Sequence, residues 1–341
     1  MYTTKILQQQ DEWEIFVKKQ IFTLTTQSWH FGEFYKSRGD DFFVLGVYDG
    51  GTLIAGSLVL VVHARRGTFL FLPYGPILSH DKQTCFSILL DELKKQAKKY
   101  KANFIRISPF IETSDIKMQT ILQKEHFKKA PLHMLAEHTH MLDLTKNDDK
   151  LLMDMKKNHR NLIRRCEREG VRIEISKNRQ DLQKFHNMID FTAQRHNFTR
   201  FSNDYVEKEF DAFTKSGEVL IFCAYLPDGT LDSTAVIYYY GSMSAYRHGS
   251  SLIQNPKLPT SYLLQWRAIQ EAKRRGMQYY NFWGIAPDDA PKNHPFKGIT
   301  HFKKGFGGKT YDLIPAHDYI ITNKYYINWI IEEFRRRKRG F

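Results

Sequence analysis

Apolar residues along the chain fall into two alternating kinds of run. In short stretches almost every position is apolar or β-branched, and in longer ones such positions recur at three- and four-residue spacing. FVLGVYDGGTLIAGSL, from Phe43, and IFCAYLPDGTLDSTAV, from Ile221, share one pattern: a β-rich run, an Asp-Gly turn (Asp49-Gly50, Asp228-Gly229), Thr-Leu and a second β-rich run. Each predicts a hairpin, because Asp-Gly suits the positive φ of a tight turn between twisted strands. Downstream, LLDELKKQAKKYKANFIRI from Leu89 and LLQWRAIQEAKRRGMQYYNF from Leu263 each predict an amphipathic helix with a basic end, then an apolar strand. Helical patterns around Trp13–Lys19 and Leu182–Gln194 precede the hairpins. Both halves read helix, hairpin, further strand, helix, strand, so the fold class is α/β with mixed sheets in two tandem domains arising from an internal duplication. The expected division is 1–147, 148–320 and a basic amphipathic C-terminal helix over 321–341, the first boundary falling where LTKNDDK follows the apolar strand Met141–Leu144.

Charge narrows the partners. The 341 residues carry 51 Lys+Arg against 37 Asp+Glu, a net charge of +14. That field attracts polyanions: nucleic acid, nucleotide-linked substrates or an anionic membrane. Part of the excess is Lys156, Lys157, Arg160, Arg164, Arg165, Arg168 and Arg172, which with Leu152, Met155, Leu162, Ile163 and Cys166 predict a single helix bearing a cationic stripe. Another part follows Tyr326, Ile327, Ile330, Ile331 and Phe334, an apolar face that suits docking on the protein or peripheral contact with an anionic membrane; docking is the expectation. Cys85, Cys166 and Cys223 lack paired spacing, which predicts neither disulfides nor a zinc finger. His138 and His140 alternate along a strand, so they and His133, around Glu137, read as strand and turn residues rather than a metal centre. With no 18-residue apolar run and no signal-peptide core, a cytoplasmic monomer is expected.

The element order resembles the acyltransferase fold of N-acetyltransferases (GNAT), in which acyl-coenzyme A sits where two strands splay apart. That fold holds pyrophosphate on a Gln/Arg-x-x-Gly-x-Gly/Ala loop, whose backbone N–H groups cradle the phosphates. Here the equivalent stretches, FLFLPYGPILSHDKQ and AYRHGSSLIQNPKLPT, are longer and contain proline instead. Another acyl donor is expected.

A further set of motifs is SWHFGEFYKSRGD (Ser28–Asp40), LPYGPIL (Leu72–Leu78), LDLT (Leu142–Thr145) before KKNHRNLIRRCEREGVRI, YRHGSS (Tyr246–Ser251), FWGI (Phe282–Ile285) and GITHFKKGFGG (Gly298–Gly308). In this order they resemble the Fem (FemABX) family of peptidoglycan bridge enzymes, tandem GNAT-like proteins that use aminoacyl-tRNA. No long charged hairpin interrupts Gly241–Gly284, which matches the compact, armless FemX-like form. The resemblance implies a tRNA-dependent aminoacyltransferase with no cofactor. Its acceptor would be the side-chain amine of the third stem-peptide residue in UDP-MurNAc-pentapeptide or the lipid-linked precursor. It also implies a role for Lys303 and Lys304, beside Phe302, at the tRNA terminus or on developing negative charge. Lys36 would meet the acceptor diphosphate, with Arg195, Arg200 and Tyr205 as the second domain's contribution. Tyr74 and Tyr246 would wall the sugar and peptide, each being equally readable as an ordinary strand residue. Trp283 reads as core or cleft floor, with core the expectation. RISP puts Ser108 where the family often carries an acid before proline, which removes any carboxylate role there. The alternatives are a coenzyme-A-dependent N-acyltransferase of the same fold and a non-catalytic RNA-binding protein.

Overall fold

The structure is a computed structural model that describes residues 1–196, 199–291 and 294–339. The chain divides into two units. One comprises Met1–Gln20, Thr26–Glu137 and the chain from Asp312 onward; the other comprises Ile21–Thr25 and His138–Tyr311.

In the first unit the sheet runs Tyr2–Leu7, Asp41–Asp49, Thr52–Ala64, Gly67–Tyr74, Ala102–Pro109, His317–Ile320, Lys128–Lys129. The hairpin turns through Gly50 and Gly51, at φ 51° and 87°, a region that glycine enters at little cost. Gly67–Tyr74 and Ala102–Pro109 are parallel, and the helix Lys82–Lys99 crosses between them. Its stripe Cys85, Phe86, Leu89, Leu90, Leu93 and Ala97 lies in one core with Val59, Leu70 and Ile105, the burial expected of an amphipathic helix on a sheet.

The second unit repeats the order: Arg172–Ser176, Val219–Tyr225, Leu231–Tyr240, Met243–Ser251, Tyr279–Gly284, His138–Asp143, Lys309–Asp312. Here the parallel pair is Met243–Ser251 with Tyr279–Gly284, and Thr260–Arg274 is the crossing helix. In both units two helices separate the first strand from the hairpin: Gln10–Lys18 and Trp29–Ser37, then Leu182–His196 and Asn203–Thr214. The expected duplication and mixed sheets are present.

The units are not consecutive in sequence, and here the structure departs from the division expected at 147 and 320. The strand after the first repeat, His138–Asp143, pairs with the last strand of the second repeat. His317–Ile320, after the second repeat, pairs with the last strand of the first. Each sheet thereby covers an edge that its own repeat leaves open.

The helix Tyr325–Arg339 accordingly belongs to the first unit. It attaches through Tyr325, Asn328 and Glu332, not through the apolar face expected to dock. Arg66 Nε donates to Asn328 Oδ1 at 2.8 Å, and Arg106 Nη2 to Glu332 Oε2 at 2.7 Å. Ile327, Ile330 and Phe334 remain exposed. The single cationic helix expected after residue 150 is two, Asp148–Asp154 and Lys157–Arg168. Met155 between them is extended, and Lys156 N–H donates to Gly305 O at 2.9 Å. Arg160 turns back to donate to the carbonyls of Met153, at 3.1 Å, and Met155, which caps the first helix and removes that arginine from the supposed stripe. No helix among the described residues is long and apolar enough to cross a membrane.

Candidate active site

The two parallel pairs differ in a way that locates a site. In the first unit Gly67–Tyr74 and Ala102–Pro109 shift register once, between Thr68 and Leu70, and then stay paired from Leu70–Ile105 to Tyr74–Pro109. In the second, only Met243–Tyr279, Ser244–Tyr280 and Ala245–Asn281 are in register, after which the strands part. Two bulges flank the opening. Against Leu231–Tyr240 the register jumps from Tyr246 to His248, leaving Arg247 as the extra residue. Against His138–Asp143 it jumps from Asn281 to Gly284, with Trp283 at φ 65°. Asn281 fixes that second bulge, its Oδ1 accepting from Thr139 Oγ1 and from Trp283 N–H, both at 2.7 Å. Bulges re-aim side chains, and here they bring a cation to each side of the opening.

On one side Arg247 lies 4.6 Å from the Trp283 ring centroid. Its Nε donates to Glu209 Oε1 at 2.9 Å and its Nη2 to Tyr205 Oη at 3.3 Å. Glu209 also faces His248, Oε2 to Nε2, at 2.6 Å. Burial pushes the Glu209 carboxyl up, but Arg247 and His248 together outweigh it and hold the group below its ordinary value. The arginine is therefore neutralised and oriented before any ligand arrives.

On the other side is Lys303, in the short helix Lys297–Lys304. It is 5% exposed; its Nζ donates to Gly284 O at 2.7 Å and sits 5.8 Å from the centre of the Tyr246 ring. No carboxylate accompanies it among the described residues, and burial brings its ammonium down to about 7. Burial likewise pushes the Tyr246 phenol up to about 12. The Tyr246 hydroxyl occupies the space over Gly249, 1.9 Å from where a Cβ would stand, so the glycine in YRHGSS makes room for that ring. A buried amine able to gain or lose a proton near neutrality, beside a gap between strands, is the chemistry of a general base or proton carrier.

Two histidines hold the lysine's segment. His159 Nε2 accompanies Phe302 O at 2.9 Å, and the ring packs on Tyr262 and Phe306. His140 Nε2 accompanies Gly307 O at 2.6 Å and its Nδ1 the Thr310 hydroxyl at 3.2 Å. Burial lowers both imidazoles, so at neutral pH they donate as neutral rings. Gly307 and Gly308 have φ of 84° and 94°, and a Cβ on Gly308 would stand 2.3 Å from Met141 O. These glycines thus pack the turn on the protein's own backbone. Gly308→Ala is expected to lower stability by ~2 kcal/mol or more, read as the shift in urea midpoint.

The FemAB family model matches residues 8–139, 127–236 and 230–332. The chain belongs to the FemAB family. It is therefore a transferase, a homologue of the lipid II:glycine glycyltransferase of Staphylococcus aureus, to which it is 22% identical over 343 aligned positions, 79% of this chain and 80% of that protein. The crystal structure of FemX superposes with a TM-score of 0.86 at 21% identity, over 97% of this chain and 100% of that one. A tandem GNAT protein of the clavulanic acid biosynthesis pathway gives 0.55 at 9% identity, over 94% and 98%. These likenesses establish a tandem GNAT-like fold for this FemAB chain.

Of the residues singled out from the sequence, Lys303 and Tyr246 share the second unit's opening, and Tyr205 reaches it through Arg247. Lys304 points elsewhere, to an ion pair with Asp288 in the preceding loop. Phe302 packs against the second core. Arg195 Nη2 donates to Ser251 O at 2.9 Å and to Ser251 Oγ at 2.8 Å, while Arg200 pairs with Asp190. Between them, Asn197 and Phe198 lie outside the described residues. In the first unit Lys36 is exposed in the last turn of Trp29–Ser37. Tyr74 is buried, its hydroxyl donating to Ala136 O at 2.9 Å. Trp283, read as core, is half-buried beneath Arg247. Sequence reading passed over Arg247, Glu209 and His159. Glu209 did carry a signal: it interrupts the stripe Tyr205, Val206, Phe210, Phe213 of its helix, and a carboxylate inside an apolar stripe needs a buried cation.

Proposed function

We propose that this FemAB enzyme transfers an aminoacyl group from the ribose ester of an aminoacyl-tRNA to the side-chain amine of a peptidoglycan stem peptide, carried on UDP-MurNAc or on lipid. The carrying observation is Lys303, a buried amine near pKa 7 at the opening of the second unit's parallel strands. The net charge of +14 suits two anionic substrates. The first unit's parallel strands stay paired to their ends at Tyr74–Pro109, without the opening of the second unit's pair, which argues for a single reaction centre, in the second unit.

An acceptor amine of pKa ~10.4 is on the order of 0.1% neutral at pH 7.4, which costs roughly 4 kcal/mol. One proton leaves the acceptor ammonium for solvent before attack. The nitrogen then bonds to the ester carbonyl carbon, and its second proton passes to Lys303 Nζ. The ammonium so formed stabilises the oxyanion and gives that proton to the ribose oxygen as the C–O bond breaks. The products are an amide, the free ribose hydroxyl and one proton released. Lys36, exposed and with no carboxylate partner among the described residues, supplies a point charge for the acceptor's diphosphate.

The coenzyme-A alternative meets a specific obstacle. Asp232, buried, accepts from the hydroxyl of Thr260, the first residue of the crossing helix, at 2.6 Å and from Gln254 N–H at 2.7 Å. A fixed negative charge thus stands where the fold would receive pyrophosphate.

The test is to incubate the enzyme with total aminoacyl-tRNA and either precursor, then weigh the product; the mass increment names the residue added. Lys36→Met is expected to raise KM for the acceptor about tenfold with kcat little changed. No increment on either precursor, with a complete tRNA pool, refutes the reaction. Heat on titrating acetyl-coenzyme A would favour the alternative.

A further inference from the structure

The C-terminal helix Tyr325–Arg339 has two unlike faces. Tyr325, Asn328 and Glu332, at three- and four-residue spacing, hold it to the first unit. Its opposite side carries Ile327, Ile330 and Phe334, exposed to 58%, 62% and 68%. Three large apolar side chains lying that open in one row are not explained by the fold, which is satisfied from the other face.

Charge says what covers them. Lys338 continues the same row four residues after Phe334, and Arg335 follows directly. Neither has a carboxylate partner among the described residues, whereas the helix's own acids are spent: Glu332 on Arg106, Glu333 on Arg336 and Arg337. Beside the helix, the edge strand Lys128–Lys129 adds two exposed lysines, Lys128 Nζ lying 5.7 Å from the Tyr326 ring centroid. A second copy of the chain would bring like charges together across such a face. An anionic lipid surface offers both acyl chains for the apolar row and phosphates for its cationic margin.

We propose that this helix is a peripheral membrane-docking element, lying flat on an anionic bilayer with Ile327, Ile330 and Phe334 at the acyl boundary and Arg335, Lys338, Lys128 and Lys129 among the headgroups. The contact stands apart from the transfer chemistry proposed above, since it uses residues with no part in that chemistry. It would confine the enzyme to a bilayer surface, where a lipid-linked acceptor resides.

The test is sedimentation of the full chain with phosphatidylglycerol/phosphatidylethanolamine vesicles and with phosphatidylcholine vesicles at roughly 0.1 M salt. Binding to the anionic vesicles is expected to be at least about tenfold tighter. Ile327→Ser/Ile330→Ser/Phe334→Ser is expected to weaken it about tenfold or more, with Tm and transfer to the soluble precursor unchanged because the positions are exposed. Arg335→Gln/Lys338→Gln is expected to weaken it about twenty-five-fold, at about fivefold per charge. Absence of sedimentation, or a triple-serine variant that binds as well as the parent, overturns the proposal. So does light scattering in which the parent is a dimer and the triple-serine variant a monomer, which would give the face to a second copy.

Discussion

Lys303→Met is expected to lower kcat/KM for aminoacyl transfer by about a thousandfold and, in the same protein, to raise folding stability at pH 7 by ~3 kcal/mol. Both effects come from one cause. Burial brings the Lys303 ammonium down to about 7 in the folded chain, against roughly 10.4 when unfolded. Between those values the unfolded chain binds a proton that the folded one does not. The resulting penalty is therefore present in full below pH 7, shrinks as pH rises and vanishes above about pH 10.4. At pH 7 it amounts to ~4 kcal/mol, less ~1 kcal/mol for the hydrogen bond to Gly284 O that methionine forgoes. Urea midpoints at pH 7 and pH 10 separate the terms: the variant's advantage should be large at the first and nearly gone at the second. Wild-type kcat/KM should climb through about pH 7 as Nζ loses its proton, and the variant's residual rate should lack that inflection. Lys303→Arg should be both inactive and destabilised, because a guanidinium stays charged in the same pocket. A methionine variant that keeps a third of the transfer rate would remove Lys303 from the mechanism.

What the sequence made legible was local. The hairpins at Asp49-Gly50 and Asp228-Gly229 follow from turn chemistry within a few residues, and the helices Lys82–Lys99 and Thr260–Arg274 from their own apolar stripes. From these the tandem α/β arrangement follows. The exchange of His138–Asp143 and His317–Ile320 between sheets could not be read, because strand pairing at long separation leaves no periodic trace in either partner. The site divided in the same way. The motif around Lys303 was visible, but the lowered ammonium comes from burial against a carbonyl exposed by a bulge some twenty residues away in sequence, which no spacing encodes. Lys304, its neighbour in the same motif, reaches an exposed carboxylate instead, since one step along a helix turns the side chain by about 100°. The C-terminal helix misled for a related reason: its apolar stripe suggested the docking face, whereas a buried arginine chose the polar one.

That arginine carries the second large effect. Arg106→Met is expected to destabilise the first unit by ~3–5 kcal/mol, since removing one member of a buried ionic cluster leaves its partners charged and unpaired. Arg106 stands opposite Asp318 in the strand register, and its Nε and Nη2 meet the two carboxylate oxygens at 2.7 and 2.8 Å. Asp318 is wholly buried and also accepts from Tyr325 Oη at 3.2 Å, while Glu332 takes the rest of the guanidinium. One side chain therefore ties the returning strand His317–Ile320 and the helix after it to a sheet whose other strands all lie between Tyr2 and Lys129. If the cluster's role is to cancel its own buried charge, removing Arg106 together with the wholly buried Asp318 should cost less than removing Arg106 alone. Arg106→Met/Asp318→Leu should recover more than half of the loss seen in Arg106→Met alone. If the arginine instead acts chiefly by packing its stem, the double variant should be no more stable than the single. Denaturant unfolding followed through Trp329, which lies on that helix, distinguishes the two, and a single variant within 1 kcal/mol of the parent would mean that the strand return is held by backbone pairing and apolar contact alone.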